Sequence, residues 1–422
     1  MNMALLVDVT LSLAAESLGL NVRMDRNPFD RSGATVQKVR PNFLCWVANV
    51  LLFRGEEKAN ASDLETAITE LKAKWATSWI PAMLPGVNMP CMFAYAAAGN
   101  AVQFFAITSG GGAVQATAIS DLLDIGTPIG RIKVVHHTLN IVRALAAYAP
   151  RAPKISMALG GAIKVVGPGG AVLSSVEIFS DFVRKSVDLS QQHCTVMGYP
   201  ELAVGWDMYR TLGGVRCPNL VRLHSSCSSS AGGGGSSIRL QSDGRTLVLH
   251  LEPVGLPLHS APASEADLKQ AVRHVLTGVA ALHAAGFVHR DIRWQNVIRL
   301  PAAASASTAC SQQPPSAASS SNSSPAGADA YVLIDLEHAA PADCALDCRQ
   351  PPYPLHTWPA ADVLLDLATG RYTRQSDLCL VAALMANLPF ALSDGGRDLR
   401  QQLATRQVLS AEAALQHAWL AT

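Results

Sequence analysis

The sequence predicts an α+β chain built from two domains. Its 422 residues exceed the length at which a single hydrophobic core usually stops growing, so two domains, or one domain with inserts, are expected. Hydrophobic residues make up 49% of the chain and charged residues 15%, which is enough apolar surface to bury a core. The segment APRAP, with its two prolines, stops a helix-like run, HHTLNIVRALAAYA. We therefore place the boundary between Tyr148 and Lys154, with an α/β domain at 1–150 and a second domain at 154–422.

The charge balance and the cysteines exclude several classes of protein. With 33 basic and 32 acidic residues, the net charge of +1 is unlike that of a nucleic-acid coat protein or a polybasic membrane binder. The nine cysteines have no regular spacing and no C-x-x-C pair, so neither a disulfide framework nor a zinc site is predicted. The N-terminal apolar run contains Asp8 and Glu16 and lacks a basic region, which argues against a signal peptide. We expect an intracellular protein of the cytoplasm or nucleus, because free cysteines are typical of reducing compartments.

Residues 75–120 contain no charged residue, which raises the question of a membrane span. Pro81, Pro85 and Pro90 interrupt the first part of this run. The second part, CMFAYAAAG followed by NAVQFFAITS, is typical of two strands joined at a Gly-Asn turn. We predict a buried hairpin here and no membrane span.

Two low-complexity segments interrupt the second half of the chain. Residues 225–237 read SSCSSSAGGGGSS, a composition typical of flexible linkers. Residues 301–330 contain 9 Ser, 10 Ala and 4 Pro, which cannot build a packed core. Strand-like segments flank both, so we interpret them as surface loops expanded within one domain.

The most informative string runs from residue 268 to residue 300. Apolar residues recur at helical spacing from Leu268 to Leu282, which predicts a long amphipathic helix ending at Gly286. The next residues, HRDIRWQN, fit the pattern H-R-D-x-x-x-x-N and lead into an apolar strand. This arrangement resembles the catalytic loop of the eukaryotic protein kinase superfamily. The resemblance covers about residues 154–422 and implies a two-lobed protein-kinase-like fold for that part of the chain.

The resemblance assigns a chemical role to each residue of this loop. Phosphoryl transfer needs a carboxylate to accept or orient the substrate hydroxyl proton, and Asp291 takes that role. Asn296 would bind magnesium through a neutral amide oxygen, together with Asp335 at the end of the strand YVLID. Arg293 would keep a cation near the transferring phosphate. The family's D-F-G reads D-L-E here, so Leu336 and Glu337 replace the phenylalanine and glycine of the usual activation-segment switch.

The nucleotide site is less sharply defined by the sequence. The strand TLVLHLE, paired through a turn with IRLQ, leads to a hinge-like segment in which Glu252 and Gly255 would bind ATP. Lys185 in FVRKSV is the preferred phosphate-binding lysine, and Lys164 in AIKV is the alternative. No G-x-G-x-x-G loop is present, and PGG at 168–170 is predicted to be a hairpin turn.

Three further features follow from the same resemblance. The acidic partner of the lysine would be Glu201 or Asp207. Asp377, at the start of a buried helix, would bind the backbone of the catalytic loop, or alternatively would cap that helix together with Ser376. The segment LSAEAALQHAWL at 409–420 resembles the last helices of a kinase domain, although no A-P-E motif follows the metal-binding aspartate.

The first half of the chain carries a different pattern. A strand starting near Asn42, a second strand from Val50 to Phe53, and then Glu56 and Lys58 resemble the core of restriction-endonuclease-like domains, which hold a metal with two acids and a lysine. Asn42 stands where that family has a metal-binding aspartate. Together with the second half, the layout resembles Crinkler-type and fungal-type kinase proteins. We interpret residues 1–150 as a degenerate nuclease fold kept as a binding or scaffolding module, although the two charged residues equally fit a solvated turn.

The expected function is an ATP- and Mg-dependent protein kinase, serine/threonine-directed, that transfers the γ-phosphate to a protein hydroxyl. One alternative is a pseudokinase scaffold that binds nucleotide and uses its N-terminal domain to bind a partner or nucleic acid. Another is a small-molecule kinase of the same superfamily.

Overall fold

The computed structural model of the protein describes most of the chain. The described residues are 3–26, 42–48, 50–73, 91–110, 113–151, 162–179, 182–189, 208–209, 211, 215–224, 237–300, 329–342, 358–366 and 368–421. They form two compact units, the first comprising Met1–Ile163 with Glu177–Phe182 and the second Lys164–Val176 with Val183–Thr422. The fold is mixed α/β with several sheets, in agreement with the predicted α+β class. Both low-complexity inserts lie outside the described residues except at their C-terminal ends.

Seven described strands of the first unit form one sheet. They are β1 (Val22–Arg26), β2 (Phe43–Val47), β3 (Val50–Lys58), β4 (Met92–Ala98), β5 (Ala101–Gly110), β6 (Ala113–Ala118) and β7 (Leu123–Asp124). The order across the sheet is β1-β2-β3-β4-β5-β6, and β7 pairs with β5. Neighbouring strands are antiparallel except β3 and β4, which are parallel. This parallel pair is possible because a helix lies in the segment that connects the two strands.

Helices accompany this sheet. They are α1 (Val9–Ser17), which follows a π-helical turn (Ala4–Asp8), α2 (Leu64–Ala73) and α3 (Pro128–Tyr148). Helix α2 contacts β3 and β4, and α3 contacts α1. Helix α3 confirms the helix predicted before the APRAP segment, and its N-cap Thr127 accepts a 3.0 Å hydrogen bond from the Gly130 backbone.

The segment predicted to form a hairpin does so. Strands β4 and β5 pair antiparallel with Ala98 opposite Ala101, and Gly99 in the turn has a φ of 56°, a conformation that glycine adopts readily. Most β4 side chains are buried in the core of the first unit, which explains the lack of charge. No helix in the described part of the chain is long and apolar enough to cross a membrane.

A six-stranded sheet among the described residues belongs mainly to the second unit. Its strands are β8 (Ala162–Val166), β9 (Val172–Ile178), β10 (Val183–Asp188), β11 (Arg222–Leu223), β12 (Ile238–Leu240) and β13 (Thr246–Glu252). Their order is β11-β13-β10-β9-β8, with β12 also paired to β13. Residues 168–170 form the predicted turn between β8 and β9. The predicted hairpin of β12 and β13 is also confirmed, and Asp243 closes it by accepting hydrogen bonds from the backbone of Arg245 and Thr246.

Helices and short strands make up the rest of the second unit. The helices are α4 (Glu265–Ala284), α5 (Ala361–Leu364), α6 (Arg374–Leu384), α7 (Asp394–Ala404), α8 (Ala411–Leu415) and α9 (Ala418–Ala421). The short strands are β14 (Leu256–Pro257), β15 (Phe287–Val288), β16 (Val297–Leu300), β17 (Ala330–Leu333) and β18 (Ala340–Pro341). Helices α8 and α9 confirm the helical pattern predicted for residues 409–420.

Helix α4 is the central element of the second core. Ser264 caps its N-terminus by accepting a hydrogen bond from the Asp267 backbone. The chain leaves the helix at Gly286, whose φ of 88° lies in the left-handed region that glycine adopts readily. The segment that follows is thereby directed toward the candidate site. All the apolar residues predicted to form the buried face of this helix are buried: Leu268, Ala271, Val272, Val275, Leu276, Val279 and Leu282.

A close approach between β3 and β4 gives a test of the first core. Gly55 lies beside Tyr95, and a Cβ atom at residue 55 would fall inside van der Waals contact of the tyrosine ring. The ring packs tilted against Phe43, Phe53 and Phe104, with centroid distances of 5.7, 5.7 and 6.2 Å, so it has little room to move. We predict that Gly55→Ala lowers the free energy of unfolding by about 1–3 kcal/mol, the usual effect of overpacking a core.

Hydrogen exchange of peptides from β3 and β4 measures this loss locally. In a Tyr95→Leu background, Gly55→Ala should lower the free energy of unfolding by clearly less, because the smaller side chain removes the clash. Equal costs in the two backgrounds would contradict the packing described here.

Candidate functional site

A buried carboxylate holds the loop that follows helix α4. Asp377, in the first turn of α6, has no solvent exposure and accepts hydrogen bonds from the backbone nitrogens of His289 (2.8 Å) and Arg290 (3.0 Å). The His283 ring and the Tyr372 hydroxyl bind the same carboxylate at 2.8 and 2.7 Å. Burial would raise the pKa of Asp377, but the hydrogen bond and charge of His283, with the loop contacts, lower it below its ordinary value. The predicted backbone contact is confirmed.

The alternative role of Asp377 as a helix cap is wrong. Thr373 is the N-cap of α6, and Ser376 completes a capping box with it. The carboxylate of Asp377 is therefore not needed at the helix terminus and is available to the loop. Ser376 and Asp377 are both fully buried because each has polar partners, Ser376 in the capping box and Asp377 in the loop.

The loop reverses direction at Arg290. This residue has a φ of 71°, which is unfavourable for a side chain with a Cβ atom and persists here because both sides of the residue are bound. Its backbone nitrogen donates to Asp377, and its carbonyl accepts a 2.7 Å hydrogen bond from the Trp358 indole. Its guanidinium donates to the carbonyl of His338. The turn thus presents the next residue, Asp291, in a fixed orientation.

Asp291, Arg293 and Asn296 meet around this turn. The Asn296 amide nitrogen donates to the Asp291 carboxylate at 2.9 Å and to the Asp291 carbonyl at 2.8 Å. The Nε atom of Arg293 lies 3.2 Å from the same carboxylate. Asp291 and Asn296 are buried, whereas the Arg293 side chain is 38% exposed. The structure therefore brings together the three residues predicted to carry the catalytic loop's chemistry.

Strand pairing carries Asp335 to the same region. Strands β16 and β17 are antiparallel, and the Ile334 nitrogen donates to the Asn296 carbonyl at 2.9 Å. The His289 ring lies 3.1 Å from the Ile334 carbonyl, so the two segments are bound on both sides of that residue. Asp335 itself has a φ of 66°, in the left-handed region, and begins a 3₁₀ turn formed by Leu336–His338.

Lys185 reaches this turn from strand β10. Its Nζ atom lies 2.8 Å from Asp335 Oδ1 and also forms an ion pair with Glu337. Burial would lower the pKa of Lys185, but the charges of the two carboxylates outweigh it and hold the pKa above its ordinary value. Burial would likewise raise the pKa of Asp335, and Lys185 lowers it. Both groups are therefore ionised over the whole neutral range.

The predicted hinge-like segment begins on the same sheet as Lys185. Lys185 is opposite Leu249 on strand β13, which ends at Glu252 as predicted. The Glu252 carboxylate binds Arg222 at 2.7 Å and His224 at 2.6 Å. The side chain of Glu252 therefore holds neighbouring segments of the protein together.

Gly255 lies on the other side of the hinge-like segment, next to strand β16. It packs so closely on this strand that a Cβ atom would crowd the side chain of Leu300 and the carbonyl of Arg299. Since Glu252 is engaged with its neighbours and Gly255 has no side chain, the backbone groups of this segment are the candidates for recognising a ligand.

The donor set around Asp335 fits a divalent cation. Both hydrogen bonds of the Asn296 side chain use its amide nitrogen, which leaves the amide oxygen as the atom able to bind a metal. Lys185 supplies one positive charge against the two negative charges of Asp335 and Glu337, so this group of three carries an excess negative charge. Carboxylate and amide oxygens are ligands that Mg²⁺ prefers. Asp335 and Asn296 are the residues that would hold it.

The other candidates for the lysine pair differ in what the structure says about them. Lys164 is exposed on β8, whereas Lys185 is largely buried. Glu201 and Asp207, the predicted acidic partners, lie outside the described residues. Glu337 binds the lysine and was not predicted for this role. Its position two residues after the predicted metal-binding aspartate was the available signal.

The charged residues of strand β3 are engaged in ion pairs. The strand continues to Lys58, so the interpretation of Glu56 and Lys58 as a solvated turn is wrong. Glu56 pairs with Arg54 at 2.9 Å, and both side chains are fully buried. Lys58 lies 2.5 Å from Glu70 on helix α2. The fold thus neutralises the charges that the nuclease-like pattern assigned to a metal.

Asn42 contacts the same end of strand β3. Its side-chain oxygen accepts a 2.9 Å hydrogen bond from the Glu57 backbone, which supports the start of β2. The Glu57 carboxylate binds Arg26 at 2.7 Å and the Tyr95 hydroxyl at 2.6 Å, and Arg26 also binds Asp8. In the described part of the chain, no group of three or more His, Cys, Asp or Glu side chains is arranged to hold a metal ion.

Comparison with known proteins gives a partial similarity. No family model matches the chain. Over 260 residues the chain is 26% identical to Crinkler effector protein 8 of Phytophthora infestans. The match covers 62% of this chain and 37% of the length of that protein. The similarity is therefore to part of a considerably longer relative.

The contacts of Asp377 lead to a test of the loop. Asp377→Ala would leave four buried donors without their acceptor, and each unsatisfied group costs about 1–3 kcal/mol. We predict that the free energy of unfolding falls by at least about 3 kcal/mol, as it does when one partner of a buried polar cluster is removed. Hydrogen exchange at the amides of His289 and Arg290 should become much faster. Unchanged exchange in a peptide spanning residues 287–292 would contradict the anchoring role.

A matched control for this test lies on helix α7. Asp398 is exposed, and its carboxylate accepts a 3.0 Å hydrogen bond from Gln402 and lies 3.1 Å from the His417 ring. Asp398→Ala should therefore leave both the unfolding transition and the exchange of the loop amides unchanged.

Proposed function

We propose that this protein is an ATP- and Mg-dependent protein kinase, directed to serine or threonine hydroxyls. The observation that carries this proposal is the convergence of three separate segments, which supply Lys185, then Asp291 with Asn296, and then Asp335. A carboxylate beside an amide, with a second carboxylate beside a lysine, is the set of groups that phosphoryl transfer requires.

Each group has a defined part in the proposed reaction. Asp291 would accept or orient the proton of the substrate hydroxyl, and its position is fixed by the loop contacts around it. Lys185 would bind the nucleotide phosphates. Bound Mg²⁺ would supply neutralisation of phosphate charge, held by Asn296 and Asp335. Arg293, beside Asp291 and partly exposed, would keep a cation near the transferring phosphate.

The layout of the second unit supports a two-lobed kinase-like fold for residues 154–422. A mainly β-sheet part precedes Glu252, and a mainly helical part follows Gly255. Lys185 belongs to the sheet, whereas Asp291 and Asn296 follow helix α4. A nucleotide bound at the hinge-like segment would thus contact groups from both parts.

The partial similarity to Crinkler effector protein 8 also supports the predicted resemblance to Crinkler-type proteins. In the first unit, the ion pairs of Glu56 and Glu57 favour a degenerate nuclease fold that binds a partner over a working nuclease. The free cysteines among the described residues, Cys45, Cys91, Cys217 and Cys379, agree with a reducing, intracellular compartment, the cytoplasm or the nucleus.

One observation favours a second candidate function. Glu337 stands where the kinase motif has a glycine, and it occupies the lysine together with Asp335. A chain with this arrangement could bind nucleotide as a pseudokinase scaffold without transferring phosphate. Nucleotide-dependent heat stabilisation in the absence of any transfer would support this second function.

A radiolabelled ATP assay tests the first function. We predict transfer of the γ-phosphate to the chain itself or to serine- and threonine-containing proteins, in the presence of Mg²⁺. Asp291→Asn should lower the rate by about 10²–10⁴-fold, as the loss of a general base does. Asp335→Asn should be similarly inactive, because a metal-binding carboxylate is lost. Asp398→Asn, on the exposed side of α7, is the control and should keep wild-type activity. Full activity in either site variant would contradict the assignment.

A further inference from the structure

Two carboxylates from a single short turn converge on Lys185. Asp335 precedes the 3₁₀ turn and Glu337 lies within it, on either side of the buried Leu336. The Glu337 side chain is 10% exposed, and it forms an ion pair with the lysine, as Asp335 does. A buried carboxylate in such a position is either paired or strongly unfavourable, so its placement against Lys185 is a built feature of the site.

We propose that Glu337 is the positioning residue that holds Lys185 toward the nucleotide phosphates. This inference rests on the proposed function and goes beyond it, because the sequence pattern assigned that role to Glu201 or Asp207. The lysine would then depend on the same turn that carries the metal-binding Asp335. No acidic residue from another segment would be needed to form the ion pair.

The competing demands on Asp335 favour this division of roles. A carboxylate that binds a divalent cation has less negative charge to offer a neighbouring ammonium group, so the pair of Lys185 with Asp335 would be weaker with a metal bound. Glu337 remains available to the lysine in that state. Without it, the flexible four-carbon side chain of Lys185 would lose the contact that restricts its rotamers.

The turn is also tied to the catalytic loop. The guanidinium of Arg290 donates to the carbonyl of His338, the last residue of the turn. The nitrogen of Ala339 donates to the Leu336 carbonyl at 3.1 Å and closes the turn. Because Arg290 directly precedes Asp291, the position of the lysine partner is linked to the position of the proposed base. The turn that carries Glu337 and the loop that carries Asp291 therefore depend on each other for their positions.

A comparison of charge-neutral variants tests the proposal in the full chain. Glu337→Gln should weaken binding of Mg-ATP and raise the KM for ATP by about 10–100-fold, the range found when a residue that orients a ligand is lost. Glu337→Asp, which keeps the charge, should recover part of this loss. Glu201→Gln and Asp207→Asn test the competing assignment of the ion-pair partner, and both should stay within about twofold of wild type if Glu337 holds the lysine. Binding is measured by calorimetry, and KM and kcat by the transfer assay.

A double-variant cycle separates positioning from a general structural effect. In a Lys185→Met background, Glu337→Gln should cause no further loss of nucleotide binding, because its effect acts through the lysine. A further loss of the same size would overturn the proposal. So would wild-type affinity in Glu337→Gln together with a loss in Glu201→Gln or Asp207→Asn. Absence of Mg-ATP binding by the wild type would overturn the proposed function itself, which distinguishes the two failures.

Discussion

The second unit depends on one requirement, that the buried carboxylate of Asp377 be fully hydrogen-bonded. A charged group without solvent exposure is stable only if donors surround it, and here the donors come from three places. The backbone of His289 and Arg290, the ring of His283 and the hydroxyl of Tyr372 all bind it. The end of α4, the loop after it and the start of α6 are thereby held at one point. The hydrogen bonds that satisfy the Asp377 carboxylate also fix the conformation of the loop.

From that point, a continuous set of contacts leads to the nucleotide-binding candidates. The loop fixed by Asp377 presents Asp291, and Asn296 binds Asp291 through its amide nitrogen. The carbonyl of Asn296 binds the residue before Asp335, and Asp335 binds Lys185. Each step is a hydrogen bond or ion pair between groups that are mostly buried. A rigid arrangement of this kind suits phosphoryl transfer, in which the protein contributes positioning and electrostatics more than covalent chemistry.

The sequence predicted those parts of the site whose signal is local. The helical spacing from Leu268 to Leu282 predicted α4, and the fixed spacing of Asp291 and Asn296 predicted the loop. The backbone contact of Asp377 was predicted from the resemblance of its helix to that of kinases. The helix and the loop need little information beyond a few turns of chain, whereas the contact of Asp377 with His289 spans 88 positions and was implied by the resemblance. The described structure contains all three features.

Other features depend on contacts between distant segments and were not predictable in the same way. The pairing of Glu337 with Lys185 joins residues far apart in the sequence, and both low-complexity inserts lie between them along the chain. Strand β3 runs on to Lys58 because Arg54 and Glu70 neutralise charges that the sequence alone marks as solvent-exposed. In both cases a partner in the fold overrides the local preference of a charged residue for water.

The central claim is that Lys185, Asn296 and Asp335 belong to one magnesium-dependent nucleotide site. The most direct test is calorimetric titration of the wild-type chain with a non-hydrolysable ATP analogue, with Mg²⁺ present and after its removal by a chelator. We predict binding in the presence of Mg²⁺ and an affinity at least about tenfold lower without it, because the carboxylates then face the phosphates with no cation between them. Equal affinity in both conditions, or no binding in either, would contradict the account.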